Sequence, residues 1–153
     1  MHWRFSIRPF RESDLDSILQ IEHASFSVDA YDRNLFAEFY YKCGDLFLVA
    51  EGGSRIWGYM ITCTRSRGGS QRAQLVSVAV DPGARRRGVA SALMDGTLRR
   101  LRRKGVRRFT LMVKTTNREA LEFYRRRGFL QLRIWRKYYE DGEDAWLMVR
   151  DLL

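Results

Sequence analysis

The segment Leu75 to Met94, LVSVAVDPGARRRGVASALM, holds the residues best placed to do chemistry. Arg85, Arg86 and Arg87 run into Gly88, Val89 and Ala90, where the small side chains let a ligand come close to the backbone. A helix that opens at a glycine offers N–H groups and the positive end of its dipole, which together make an anion site. A phosphorylated ligand is the natural occupant. A solvated turn would also accommodate three arginines, so the remainder of the chain has to decide between the two.

The elements that position this segment follow from pattern. Leu75, Val76, Val78 and Val80 form a buried strand that Asp81-Pro82-Gly83 ends, because proline donates no ladder hydrogen bond. Val89, Leu93, Leu98 and Leu101 give a helical stripe, so a long helix is expected from Gly88 to Lys104, with Gly105 beyond it. Upstream, Trp3 to Arg8 alternates as a strand and Ser13 with Asp16 suggests a helix start. That helix carries Leu15, Ile18, Leu19 and Glu22 and fades at Ser25-Phe26-Ser27. Asp32 caps a second helix through Tyr41, closed by Gly44. Leu46 to Glu51 and Ile56 to Thr64 read as a hairpin turning at Gly52-Gly53, with a further turn at Arg65 to Gly69. Downstream come a strand from Arg107 to Lys114, a short helix capped by Asn117 and broken by Gly128, and strands near Leu130–Arg136 and Asp144–Asp151. The order βααβββαβαββ predicts one α/β domain over residues 1–153 with a mixed sheet.

Composition agrees. The chain has 153 residues, 45% of them hydrophobic, enough for a core. No apolar run is long enough to span a bilayer, and no secretory signal is evident at the start, so no membrane association is expected. Cys43 and Cys63 lack metal-ligand spacing and do not assemble with His2 and His23 into a zinc site. They read as reduced thiols of a cytoplasmic protein, with no metal. The net charge of +10 is concentrated between Arg85 and Arg108 and in Arg125, Arg126 and Arg127. Such density suits a ligand with several phosphates and solvated helix faces. It leaves ribosome proximity open, but no aromatic-interleaved RNA-binding motif supports nucleic acid as a partner.

Three motifs in order carry a resemblance. Arg85-x-x-Gly88-x-Ala90 after a strand resembles the acetyl-CoA pyrophosphate loop of the GNAT acetyltransferases. Asn117-Arg118-Glu119-Ala120-Leu121-Glu122-Phe123-Tyr124 with Gly128-Phe129 is similar to the second motif of that superfamily. Tyr138-Tyr139-Glu140-Asp141-Gly142-Glu143-Asp144-Ala145 resembles the YYxDGEDA segment of the RimI-like and Ard-type N-terminal acetyltransferases. The resemblance implies a largely antiparallel central sheet flanked by helices, whose central strands splay to form the acetyl-CoA cleft. It implies acetyl-CoA as donor and the α-amine of a protein or peptide as acceptor, ribosomal proteins being one candidate. A lysine, a polyamine or another small amine is the alternative acceptor, and a non-catalytic coenzyme- or RNA-binding module the alternative class.

On that resemblance Arg85, Arg86, Arg87, Gly88, Val89 and Ala90 hold the pyrophosphate, and Val78 and Val80 bond the pantetheine arm through their main chains. The N–H of Val78 would polarise the thioester carbonyl. Asn117 would reach the coenzyme arm or simply cap its helix. Tyr124 matches the general acid beside the coenzyme sulfur, where a phenol can protonate a leaving thiolate. Phe123 and Phe129 would pack into the core. Tyr31, Tyr138 and Tyr139 would wall the peptide groove.

The base departs from the pattern. RimI-like enzymes carry a glutamate on the strand before Asn117, and here that position falls at Met112 in Leu111-Met112-Val113, which accepts no proton. Asp29, in a loop resembling the Leu-Pro-Glu-Asn-Tyr loop of Ard-type enzymes, is one replacement. Ser77, or a water held by its strand, is the other. An α-amine with a pKa near ~7.8 is roughly 400-fold richer in neutral form at pH 7 than a lysine near ~10.4. A weak base therefore favours an α-amine acceptor.

Overall fold

The computed structural model describes residues 4–26 and 31–152. Its elements are β1 (Ser6–Pro9), α1 (Leu15–Phe26), α2 (Arg33–Cys43), β2 (Phe47–Gly52), β3 (Arg55–Arg67), β4 (Ser70–Val80), α3 (Val89–Arg103), β5 (Arg108–Lys114), α4 (Arg118–Arg126), β6 (Leu130–Trp135) and β7 (Ala145–Asp151). This is the expected order. The strands lie as β1-β2-β3-β4-β5-β7-β6 in a mixed, largely antiparallel sheet. The parallel pair is β4 with β5, registered from Arg72 opposite Arg108 to Gln74 opposite Thr110. The chain divides into two compact units: Met1–Cys63 with Val76–Lys104, and Thr64–Leu75 with Gly105–Leu153.

In the first unit, strand alternation sorts side chains onto two faces. Phe47, Val49, Tyr59 and Ile61 join Ile18 and Ile21 of α1 and Phe36 of α2 in one buried cluster. Leu48 and Met60 lie on the opposite face, where Thr97 of α3 donates a hydrogen bond to the Met60 sulfur at 3.4 Å. Helix α3 approaches closely because two glycines leave room. A β-carbon on Gly58 would lie 2.9 Å from Val89 Cγ1, and one on Gly96 would lie 2.9 Å from Ile7 Cγ2.

Several local expectations change. Ser13 does not start α1. A 3-10 turn over Glu12–Asp14 leads into the helix, and the Asp14 carboxylate accepts the Arg11 N–H at 2.8 Å. The β2–β3 turn falls on Gly53 and Ser54, both at positive φ, rather than on Gly52-Gly53. Gly52 stays in the strand, paired with Arg55, where a β-carbon would lie 2.5 Å from the Arg4 carbonyl oxygen. Strand β3 runs on to Arg67, since Gly68 and Gly69 at positive φ complete a tight turn by themselves. Cys43, at the end of α2, and Cys63, on β3, are joined as a disulfide with Cα atoms 4.6 Å apart. That corrects the reading of two reduced thiols and removes its support for a cytoplasmic location. Sequence spacing hid the proximity, which arises where α2 packs on the strand face that carries Cys63.

In the second unit Phe109, Leu111 and Val113 of β5 are buried and alternate with half-buried Thr110, Met112 and Lys114. They share this unit with Leu121 and Tyr124 of α4, Phe129 and Met148, all buried. The Asn117 side chain caps α4 by accepting the Ala120 N–H at 3.1 Å. Helix α4 ends at Arg126, Gly128 follows with φ of 87°, and Arg150 donates to the neighbouring Arg127 carbonyl.

Most ion pairs are exposed and add little stability. Arg8 differs. Its guanidinium holds Asp14 in a fork at 2.8 and 2.9 Å and reaches Glu51 at 3.1 Å, with the Arg8 side chain 15% exposed. Burial pushes the Asp14 carboxyl up, but the Arg8 and backbone hydrogen bonds outweigh it and hold the group below its usual value. A carboxyl depressed on folding stabilises the protein above its unfolded pKa of about 3.9, and loses that contribution as pH falls through the lower folded value. Arg8→Met should cost about 1.5–3 kcal/mol at neutral pH and move acid unfolding to higher pH, read by circular dichroism.

Candidate active site

The proposed anion loop lies in the first unit. The Asp81 carboxylate accepts the Gly83 N–H at 2.8 Å and starts a 3-10 turn over Pro82–Ala84, which buries Ala84. Arg85, Arg86, Arg87 and Gly88 follow as an exposed turn. Arg86 and Gly88 both take positive φ, 63° and 82°, so alternate residues turn the chain back on itself. Gly88 is the N-cap of α3 and contributes no side-chain hydrogen bond, so no side chain of its own competes for the first-turn N–H groups. Val89 is buried and Ala90 half-buried. A glycine cap, a positive helix end and exposed guanidinium groups fit a pyrophosphate. Val78 and Val80 are half-buried on β4, with Ala79 buried between them.

Ser77 sits in a chain of polar groups that the sequence did not reveal. Its Oγ lies 3.1 Å from the Tyr59 hydroxyl, and Tyr59 donates to Glu22 Oε1. Glu22 Oε2 accepts the Tyr31 N–H at 2.7 Å. Tyr59 is fully buried and Glu22 is 1% exposed. Burial, then the Glu22 charge and hydrogen bond, pushes the Tyr59 phenol far above its ordinary pKa, so it stays protonated. One signal was present: Glu22 follows Leu15, Ile18 and Leu19 on the apolar face of α1. A carboxylate there needs a buried partner. Tyr31 is half-buried, its ring against Phe36 and Phe39 with centroids 5.9 and 5.5 Å away. Asp29 lies outside the described residues.

The second unit holds Tyr124, Asn117, Tyr138 and Tyr139. Tyr124 is 8% exposed, beside the rings of Phe123 and Phe129. Burial, with a smaller contribution from Tyr139, raises its phenol well above the ordinary value. It is therefore a protonated donor throughout the neutral range. Asn117 is exposed and spends its side-chain oxygen on the cap. Tyr138 and Tyr139 lie in the β6–β7 connection, Tyr138 exposed and Tyr139 half-buried. The acidic residues after them hold that connection in shape. Lys114 pairs with Asp141 at 2.7 Å and Glu143 at 3.1 Å, and its ammonium lies 5.2 Å from the Tyr139 ring centroid. Asp144 accepts the Lys137 N–H at 2.9 Å, and Thr116 donates to Glu143 at 3.0 Å. Met112 is half-buried opposite Leu147 and offers no proton acceptor. Among the described residues no group of His, Cys, Asp and Glu could hold a metal ion.

The loop supports a direct test. Nothing lies within 4 Å of a β-carbon built on Gly88, so Gly88→Ala meets backbone strain rather than a clash. The left-handed conformation should cost about 1–2 kcal/mol, read as a lower melting temperature. Affinity for acetyl-CoA, by calorimetry, should fall with it.

Comparison with known proteins shows the family. The model of the acetyltransferase (GNAT) family matches residues 15–129. An uncharacterized N-acetyltransferase of Methanocaldococcus jannaschii is 33% identical over 146 residues, covering 94% of this chain and 90% of the relative. An N-alpha-acetyltransferase of Saccharolobus solfataricus is 28% identical, covering 97% and 93%. The crystal structure of Ard1 from Thermoplasma volcanium superposes with a TM-score of 0.89 at 30% identity, covering 97% of this chain and 98% of that one. The chain belongs to the GNAT family of acetyltransferases, enzymes that draw their acetyl group from acetyl-CoA.

Proposed function

We propose that this enzyme acetylates the N-terminal α-amine of a protein or peptide. The observation that carries this is the Tyr138–Ala145 segment, whose motif resembles that of N-terminal acetyltransferases and whose Asp141, Glu143 and Asp144 carboxylates are tied to Lys114, Thr116 and the Lys137 N–H. Likeness over nearly the whole chain to an N-alpha-acetyltransferase supports it. Arg85, Arg86, Arg87 and the N–H groups from Gly88 to Ala90 bind the coenzyme phosphates. The Val78 N–H polarises the acetyl carbonyl, and Val80 holds the coenzyme arm through its main chain. Asn117 keeps α4, and with it Tyr124, in place. Tyr124, protonated at neutral pH, gives its proton to the departing thiolate and recovers one from the attacking nitrogen, which has a second proton to lose as the amide forms. Tyr31, Tyr138 and Tyr139 contact the peptide.

Two measurements test this. Coenzyme-A release should be seen with short peptides bearing a free N-terminus and should vanish when that amine is blocked. Release that survives the block moves the acceptor to a lysine. Tyr124→Phe should lower kcat by roughly 10²-fold while leaving acetyl-CoA affinity and the melting temperature near wild type. A variant as fast as wild type removes Tyr124 from the acid role.

A further inference from the structure

Glu22 is the one buried acid among the described residues whose partners are neither Arg nor Lys. Asp14, the other buried carboxylate, is gripped by Arg8. Glu22, 1% exposed, is met instead by the Tyr59 hydroxyl and the Tyr31 N–H, and no ion pair reaches it among the described residues. A carboxylate with no cation beside it is costly to bury, and packing alone gives no reason for it. The network also has a direction. Glu22 is at its buried end, Tyr59 in the middle, and half-buried Ser77 at the other, one residue before Val78 on β4.

We propose that Glu22 is the final acceptor of the proton released by the substrate amine, reached through Ser77 and Tyr59. This rests on the N-terminal acetyltransferase reading. The step involves O–H and N–H bonds alone and no change of oxidation state. The substrate ammonium gives a proton to Ser77 Oγ, Ser77 passes its own to the Tyr59 oxygen, and Tyr59 passes its hydroxyl proton to Glu22 Oε1. The products are a neutral amine and a protonated Glu22, with Ser77 and Tyr59 restored. The three transfers occur together, because a buried phenolate at Tyr59 is strongly disfavoured. Ser77 is the catalytic residue of this set, since it touches the amine. Tyr59 and Glu22 are positioning residues that act through it. Met112 in place of a glutamate then needs no substitute on β5.

The groups facing Glu22 make the conservative variant informative. Glutamine at this position can still accept the Tyr31 N–H and still meet the Tyr59 oxygen, but it cannot take a proton. The experiment is the pH profile of kcat/KM for wild type, Glu22→Gln, Tyr59→Phe and the double variant, with melting temperature and acetyl-CoA affinity measured on each. Below the α-amine pKa of about 7.8 each single variant should fall progressively behind wild type, by roughly sevenfold at pH 7 and about 60-fold at pH 6, and above it both should converge on wild type as the substrate supplies its own neutral amine. The double variant should lose no more than either single one, because one broken link disables the whole relay. A deficit that is constant across pH, losses that multiply in the double variant, or wild-type rates throughout would overturn the proposal. Should Glu22→Gln not fold, Ser77→Ala and Tyr59→Phe carry the same comparison. Peptides with free and blocked N-termini are run alongside. If lysine is the acceptor, convergence shifts toward about pH 10.4, which refutes the N-terminal reading and still supports the relay.

Discussion

The missing β-carbons of Gly58 and Gly96 are the constraint on which the first unit depends. At Gly58 an added carbon would also come within 3.0 Å of the Ala79 carbonyl oxygen, so β3, β4 and α3 meet at one point with no spare volume. Interiors packed to crystal density do not absorb an added methyl without moving something. The start of α3 is therefore fixed against the strands by contact at Val89. The loop immediately before Val89 inherits that position, and the main-chain groups of Val78 and Val80 belong to the adjoining strand. A site built mostly from backbone N–H groups can be no better placed than the backbone itself. Here the backbone is placed by two glycines.

Buried polar groups set the second constraint, and magnitude separates those that matter. Arg33 with Asp16 and Arg126 with Glu122 are exposed pairs, worth about 0–1 kcal/mol each. Asp14 and Glu22 are buried, where losing a partner costs several times more. Asp14 anchors the chain between β1 and α1 through Arg8, a structural task satisfied by a permanent cation. Glu22 ties α1 to Tyr31, two residues before α2, and to β3 through Tyr59, with neutral donors. Both tasks hold helices on the same sheet face. The difference in partner chemistry separates a carboxylate held by a permanent cation from one met by neutral donors.

Much of the fold was legible because its signals are local. The apolar stripe of α3, Asp32 and Asn117 as caps, Gly44 and Gly128 as stops and the Asp81-Pro82-Gly83 break each act through a few neighbouring residues, and each lies where expected. The errors came from contacts between distant residues. Gly52 looks like a turn residue until Arg4 is found against it. Ser13 looks like a cap until a 3-10 turn is found ahead of the helix, with the Asp14 carboxylate held by the Arg11 N–H and by Arg8 of β1. Cys43 and Cys63 look unrelated at a separation of 20 residues. The site divided in the same way. The proposed phosphate loop and the proposed role of Tyr124 are read from contiguous motifs. The partners of Ser77 come from α1 and β3, and no spacing rule joins positions 22, 59 and 77.

That division bears on the absent glutamate at Met112. A base on β5 beside the acid would be visible as one residue in one motif. A base supplied by a chain across α1, β3 and β4 is spread over three elements, none of which marks it alone. The chemical demand on it is modest. An α-amine near pKa ~7.8 is already about one-seventh neutral at pH 7, so the most that full deprotonation adds to the reactive population is roughly sevenfold. For a lysine near ~10.4 the corresponding factor exceeds a thousand. A three-link path ending on a buried carboxylate, slower than a direct contact, is adequate for the first substrate and poor for the second. The loss of a direct base and the choice of an α-amine are thus two sides of one constraint, with Glu22, Tyr59 and Ser77 the residues through which it is met.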